Sequence, residues 1–317
     1  MEHEDLIQTE AAKAFKVKKD EVEVVKRFLG GMSHLTYHIR VNNKDYTFRV
    51  IGKDGNLFVD RKTEYKNIQI IDNLGINNKT IYFDTDSGEK AAIYVEGTPL
   101  SELDYKPYLV EVSDILKKLH YSGLEPASDY GLIERLDLYE SYTNIKSDLY
   151  LDLKAKWINK YLTERKAKPK VFCHNDAQRS NIVIGVDQVY LLDWEYAGYN
   201  EFYYDIASFG NIDFNDALLL LDVYLERKAT KEEQDIVKFY RMFQALQWHQ
   251  VALRKELIGL SPIVHFDFKL VAEKYLALAN KLYNEIKEWY YAPFNRCFKY
   301  WKKIWKYQCY QSIFTRA

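Results

Sequence analysis

Little in this chain could staple it covalently or carry it across a membrane. Its three cysteines, Cys173, Cys297 and Cys309, form neither a close pair with metal-ligand spacing nor an even set for disulfides, so a reducing cytosol is the expected setting. No apolar run approaches the roughly 20 residues that a spanning helix needs. The start, Met1-Glu2-His3-Glu4-Asp5, is acidic and lacks the apolar core of a secretion signal. The expectation is a soluble, cytoplasmic protein without a transmembrane segment. An excess of charge of one sign is missing too, since 45 lysines and arginines face 46 aspartates and glutamates, for a net charge of −1. That balance gives no general electrostatic reason to bind nucleic acid, so any anionic ligand must be held by local groups. Repeats and low-complexity segments are absent. What is present is a 317-residue chain with 47% hydrophobic residues, enough for one large core or two moderate ones.

The first hundred residues carry most of the strand-like pattern, in Glu21–Phe28, Leu35–Val41, Tyr46–Ile51, Thr80–Phe83 and Ala91–Val95, each rich in β-branched or aromatic residues. One helix interrupts them, because Tyr65, Ile68, Ile71 and Leu74 recur at helical spacing after Asp60, a plausible N-cap. Gly97-Thr98-Pro99 breaks the pattern. Beyond it the chain is mainly helical, first over Leu109, Val112, Leu116 and Leu119, then over Asn144–Glu164, Asp216–Arg227, Lys231–Leu257 and Phe268–Glu288. A few short strands are embedded between Val171 and Leu192. The pattern predicts an α+β protein of two lobes with a cleft between them, a small antiparallel-sheet lobe over residues 1–97 and a larger helical lobe over 98–288. In the tail, 289–317, Trp289, Tyr290, Tyr291, Trp301 and Trp305 alternate with Lys299, Lys302, Lys303 and Lys306. Such a tail can dock on an anionic membrane surface, but a terminal helix packed on its own domain is the commoner arrangement.

The chemistry is concentrated between His174 and Asp193. Phosphoryl transfer from ATP needs a carboxylate to orient or deprotonate the acceptor hydroxyl, and oxygen ligands for magnesium on the phosphates. Asp176, then Asn181 five positions later, then Asp193 after the apolar Tyr190-Leu191-Leu192 match the catalytic-loop and metal-binding arrangement of protein-kinase-like enzymes. Asp176 is then the base, and Asn181 and Asp193 are the metal ligands. Either Asp176 or Asn181 alone could merely shape a turn; the set in one polar loop between apolar strands favours function. His174 reads as a structural residue.

The run His174-Asn175-Asp176, with Gln178, Asn181, Leu192-Asp193-Trp194-Glu195-Tyr196-Ala197-Gly198-Tyr199-Asn200 and Asp205, resembles the choline/ethanolamine kinase family, its bacterial LicA-type branch above all. The likeness runs from about Gly30 to about Lys255. Related aminoglycoside phosphotransferases share the Asp-to-Asn loop but generally not the Asp-Trp-Glu-Tyr run. The resemblance implies a protein-kinase-like fold, ATP and Mg2+ as cofactors, and a phosphate-side loop at Gly30, Gly31 and Ser33, where His34 stands in place of the usual asparagine. It implies that Arg49 contacts the ATP phosphates with Glu64 as its partner, an exposed surface pair being the alternative. Tyr94 and Val95, in the strand linking the lobes, would receive adenine. A quaternary ammonium has no N–H to donate and is recognised by aromatic faces and carboxylates. Gln178, Glu195, Tyr196 and Trp248 are the candidates, core packing being the alternative for both aromatic residues. The expected acceptor is choline or ethanolamine, with an aminoglycoside or another amino alcohol as the second reading. A nucleotide-binding pseudokinase is disfavoured because no expected catalytic carboxylate or metal ligand is missing.

Overall fold

The computed structural model describes residues 3–28, 34–52 and 54–286. The first helix, α1 (Glu4–Phe15), precedes a five-stranded antiparallel sheet made of β1 (Val22–Phe28), β2 (His34–Val41), β3 (Lys44–Ile51), β4 (Thr80–Phe83) and β5 (Lys90–Ile93), in the order β1-β2-β3-β5-β4. Asn42 and Asn43 both have positive φ, 52° and 58°, and close β2 onto β3 so that Val41 pairs with Lys44. This register fixes the two faces. Tyr37, Ile39, Val41, Phe48 and Val50 point to one side, where Ile7, Ala11 and Ala12 of α1 cover them. Each large apolar side chain buried there contributes about 1.5–3 kcal/mol, which is why the strands require α1, a helix the sequence reading lacked. Thr36, Arg49 and Lys90 pair side by side and occupy the other face.

Between β3 and β4 stands α2 (Arg61–Ile71). Asp60 caps it by accepting hydrogen bonds from the N–H of Lys62 at 3.0 Å and Thr63 at 3.3 Å. The helix buries Ile68 and Ile71 in the main core and turns Glu64 and Asn67 inward as well. Asn67 donates to Ala197 O and accepts from Ala127 N, both at 2.8 Å, which ties α2 to the second lobe. The strand expected to reach Val95 ends at Ile93, so Tyr94 and Val95 lie in the connection that follows it.

In the second lobe β6 (Gly97–Pro99) is followed by α3 (Leu109–His120), α4 (Leu132–Thr143), α5 (Asp148–Lys160), β7 (Val171–Cys173), β8 (Ile182–Gly185), β9 (Val189–Leu191), β10 (Gly198–Asn200), α6 (Tyr203–Phe209), α7 (Phe214–Leu225), α8 (Lys231–Leu257), α9 (Ser261–Val264) and α10 (Phe268–Glu285). Strands β6, β8 and β9 form one small sheet, and β7 pairs with β10. The helix expected over Asn144–Glu164 is shorter as an α-helix, because Ser147 caps it at Tyr150 N and its last turn, Tyr161–Arg165, widens to π geometry. Thr230 and Glu233 close a capping box that starts α8 where the sequence places it. Trp157, Phe239 and Phe243 fill the centre of the lobe, and Trp157 donates to Phe239 O at 2.9 Å. The architecture is the expected α+β, two-lobed, protein-kinase-like one. No helix among the described residues is long and apolar enough to cross a membrane.

Candidate active site

Strand β7 leads into the loop that starts at His174, and buried partners fix that loop from several sides. The Asp205 carboxylate of α6 accepts the backbone N–H groups of His174 at 2.8 Å and Asn175 at 2.7 Å, and lies 3.0 Å from Nε2 of His120. Asn175 has φ 61°, a left-handed conformation that costs most residues about 1–2 kcal/mol and that asparagine tolerates. Its amide donates to Tyr196 O and Gly198 O and accepts from Asn200 at 2.9 Å, which holds the strained residue in place. His174 donates from Nε2 to Leu192 O at 2.9 Å and accepts at Nδ1 from Asp176 N at 3.2 Å. That pattern needs a neutral ring, and burial lowers the imidazole pKa accordingly. His174 therefore locks the Asp176 backbone to the segment that delivers Asp193.

Asp176 uses one carboxylate oxygen for support. Its Oδ2 accepts from Asn181 Nδ2 at 2.9 Å and Gln178 Nε2 at 3.1 Å, while Oδ1 has no hydrogen-bond partner among the described residues. Burial, then the charges of Asp193 and Glu195, push this carboxyl well above its ordinary pKa, against the pull of the two amides. Asn181 also donates to Asp176 O at 2.9 Å, which commits its amide nitrogen and leaves its Oδ1 available. Leu192 N bonds Asn181 O at 2.8 Å, so Asn181 sits beside the strand end that carries Asp193.

Across the cleft stands a chain of paired charges. Arg49 donates to both oxygens of Glu64, at 2.7 and 3.0 Å, and to Gly88 O. Arg61 bridges Glu64 at 2.6 Å and Glu195 at 2.8 Å, and Lys90 approaches Glu64 at 3.8 Å. Burial disfavours the charged form of Glu64, but Arg49, Lys90 and Arg61 hold its carboxyl well below the ordinary range. Asp193, at φ 68°, lies 3.6 Å from Arg49 and 3.9 Å from His34. Burial raises its pKa, yet His34, Arg49 and Lys90 bring it below the usual value. Glu195 moves the other way, pushed up by burial and by Asp193. His34, Asp193 and Glu195 each offer a ligand atom within 4.8 Å of the others. The Asp193 carboxylate and the Asn181 amide oxygen are hard oxygen donors of the kind that suits Mg2+.

Tyr196 and Trp248 meet edge to face with centroids 6.2 Å apart; Tyr196 is buried in the main core and Trp248, partly buried, packs against it. The cation of Arg135 also lies over the Tyr196 ring, at 5.4 Å. At the lobe junction the Tyr94 ring stacks on His38 at 4.1 Å, and Tyr94 N donates to Asp45 O.

Residues 25–219 match the choline/ethanolamine kinase family model. The chain belongs to the choline/ethanolamine kinase family. This family member is 26% identical over 243 residues to Protein LicA of Haemophilus influenzae, covering 69% of this chain and 70% of that protein. It is 27% identical over 289 residues to Ethanolamine kinase 2 of Mus musculus, covering 84% and 71%. The crystal structure of choline kinase LicA from Streptococcus pneumoniae superposes with a TM-score of 0.69 at 22% identity, over 87% of this chain and 99% of that one. Family membership makes the chain a phosphotransferase with an alcohol group as acceptor.

In this kinase the sequence-derived residues fall into three groups. Asp176, Gln178 and Asn181 are in direct contact, Arg49, Glu64 and Asp193 form a second, charged group, and Tyr196 and Trp248 adjoin each other. Glu195 is ion-paired to Arg61, a residue the sequence reading missed because nothing distinguishes it from any arginine after a helix cap. Lys90 and Arg135 were missed likewise, and Asn175, quoted within the His174-Asn175-Asp176 run, was given no role of its own. Gly30, Gly31, Ser33 and the tail 289–317 lie outside the described residues.

Proposed function

We propose that this kinase transfers the γ-phosphoryl group of ATP to the hydroxyl of a small amino alcohol of the choline and ethanolamine class, with Asp176 as the base. The observation that carries this reading is the Asp176 carboxylate, held on Oδ2 by Asn181 and Gln178 and open on Oδ1. The acceptor oxygen bonds to the γ-phosphorus as the bond to the β–γ bridging oxygen breaks; ADP leaves and the hydroxyl proton passes to Asp176. Mg2+, which Asn181 and Asp193 would hold, supplies neutralisation of the phosphate charge. Arg49, oriented by Glu64, adds a fixed cation on the same side. Residues 1–97 form the nucleotide lobe in this reading, with Gly30, Gly31 and Ser33 at the phosphates and Tyr94 and Val95 at the adenine. Residues 98–288 form the catalytic and acceptor lobe, in which Gln178, Glu195, Tyr196 and Trp248 surround the amino alcohol.

The test is ADP release with ATP and magnesium across choline, ethanolamine and an aminoglycoside panel, with Asp176→Asn as control. An amino alcohol should stimulate release, and the substitution should lower it about 10²–10⁴-fold. Stimulation by aminoglycosides alone would replace the acceptor class. Equal release by wild type and Asp176→Asn would sink the mechanism.

A further inference from the structure

Both ends of the Gln178 amide are engaged, and they make a directed chain that reaches the Asp176 carboxylate from outside its own loop. Gln178 Nε2 donates to Asp176 Oδ2 at 3.1 Å, and Gln178 Oε1 accepts from Asn211 Nδ2 at 2.7 Å. Asn211 lies in the connection between α6 and α7 and is anchored through its backbone. Its N–H donates to Ser208 O at 3.2 Å, and its carbonyl accepts from Arg241 Nη2 at 2.9 Å. Arg241 is buried on α8, where its Nη1 donates to Gln244 Oε1 at 3.2 Å. Gln244 in turn donates to Ser208 Oγ at 2.9 Å and to Tyr204 O at 3.1 Å. Helices α6 and α8 therefore fix the position from which Asn211 addresses Gln178.

The direction of the chain follows from charge. An ionised carboxylate only accepts hydrogen bonds, so Gln178 must turn its NH2 group toward Asp176, and its carbonyl then needs a donor. Asn211 is the one donor to that carbonyl among the described residues. This leaves Asn211 Oδ1 as the far end of the chain, buried and without a hydrogen-bond partner among the described residues. A leucine of nearly the same shape would avoid the orphaned oxygen. An asparagine at 211 is accounted for by what its N–H does for Gln178. The terminal torsion of an aspartate is broad, so a carboxylate held by one donor can swing, whereas one gripped by Asn181 and Gln178 together keeps a single orientation.

We infer that Asn211 is a positioning residue for phosphoryl transfer: it orients the Gln178 amide so that an N–H, not a carbonyl, faces Asp176 Oδ2, and so aims Oδ1 at the acceptor hydroxyl. The inference rests on the reading of Asp176 as the base and adds a support that reading does not contain. Asn181, the other donor to Oδ2, belongs to the same loop as Asp176. Asn211 instead ties the carboxylate to α6 and α8, whose Tyr204, Phe239 and Phe243 belong to the main core.

The experiment uses three side chains of nearly one shape at 211: asparagine donates, leucine neither donates nor accepts, and aspartate only accepts. On the full chain, kcat and KM for ADP release are measured with ATP, magnesium and the better of choline and ethanolamine, beside the thermal unfolding midpoint. The variants are Asn211→Leu, Asn211→Asp, Gln178→Leu and Asn211→Leu/Gln178→Leu, with Asp176→Asn in parallel. Asn211→Leu should lower kcat about tenfold with KM for ATP unchanged, as expected for weakening one hydrogen bond to a charged group. Asn211→Asp should lower kcat further, because Gln178 turns its NH2 to the new carboxylate and its carbonyl toward Asp176. The double variant should be no slower than Gln178→Leu alone, since Asn211 acts through that amide. Wild-type kcat in either 211 variant overturns the inference. So does an Asn211→Asp loss no larger than that of Asn211→Leu, a double-variant loss equal to the product of the single losses, or a kcat that falls only as the unfolding midpoint falls. If Asn211→Leu does not fold, Asn211→Asp decides alone. Wild-type ADP release by Asp176→Asn sinks the reading of Asp176 and this inference with it; loss of release there with wild-type kcat at the 211 variants overturns this inference and leaves that reading standing.

Discussion

The two walls of the cleft solve the same electrostatic problem in opposite ways. Around Glu64 each buried guanidinium has a carboxylate, Arg49 with Glu64 at 2.7 Å and Arg61 with Glu64 and Glu195 at 2.6 and 2.8 Å. Elsewhere Arg135 is held by two carbonyls, a phenol hydroxyl and three aromatic faces, and Arg241 by a carbonyl and an amide, with no carboxylate partner for either among the described residues. A paired network is fixed before its ligand arrives, which suits phosphates whose position must be set in advance. Burial works against the charged form of Arg135, but Tyr139 and Tyr130 more than offset it and its pKa is raised, so this cation is held without a carboxylate.

The contrast breaks most visibly at Glu64. Glu64→Gln leaves Arg49 and Arg61 buried beside a neutral amide, and urea unfolding should show a loss of about 3–5 kcal/mol. Removing both ends in Arg49→Met/Glu64→Met should cost less than Glu64→Gln alone, since no charge is stranded in that pair. If Glu64→Gln is neutral, the network is not what holds this wall.

A smaller effect sharpens the other side. Lys255, near the end of α8, is brought down to about 8 by burial, against the pull of Glu195 and Asp54. A lysine whose pKa is lower in the folded state than in the unfolded chain destabilises the fold at every pH where both states hold the proton. Lys255→Met should therefore stabilise the protein by roughly 1–3 kcal/mol at pH 7. The gain should be full below about pH 8 and fade as pH rises toward 10.5, the ordinary value for a lysine. Thermal unfolding at pH 7 and pH 10 checks the sign; a gain that grows with pH contradicts it.

The same division governs what could be read from the sequence. The meeting of Asp176 with Asn181, and of Asn181 with the strand end before Asp193, was legible because their spacing within one loop-and-strand unit is short and chemically distinctive. Asp60 and the span of α8 were legible because helix caps act over three or four residues. Helix α1 was not, since its role is to cover a face of β2 and β3 that only the completed sheet creates. Arg61 finds Glu195 across 134 positions, and Arg135 takes its meaning from Phe58, Tyr130, Tyr139 and Tyr196, which only folding assembles. The Asp176 loop was local in sequence; the surroundings of Arg61 and Arg135 were not.

The most direct test of the central claim follows phosphorus itself. ³¹P NMR of the kinase with ATP, magnesium and an amino alcohol should show the γ-phosphate signal replaced by a phosphomonoester of the acceptor in step with ADP. Asp176→Asn should leave ATP essentially unchanged over the same period. Inorganic phosphate as the only product, whatever the acceptor, would contradict the account.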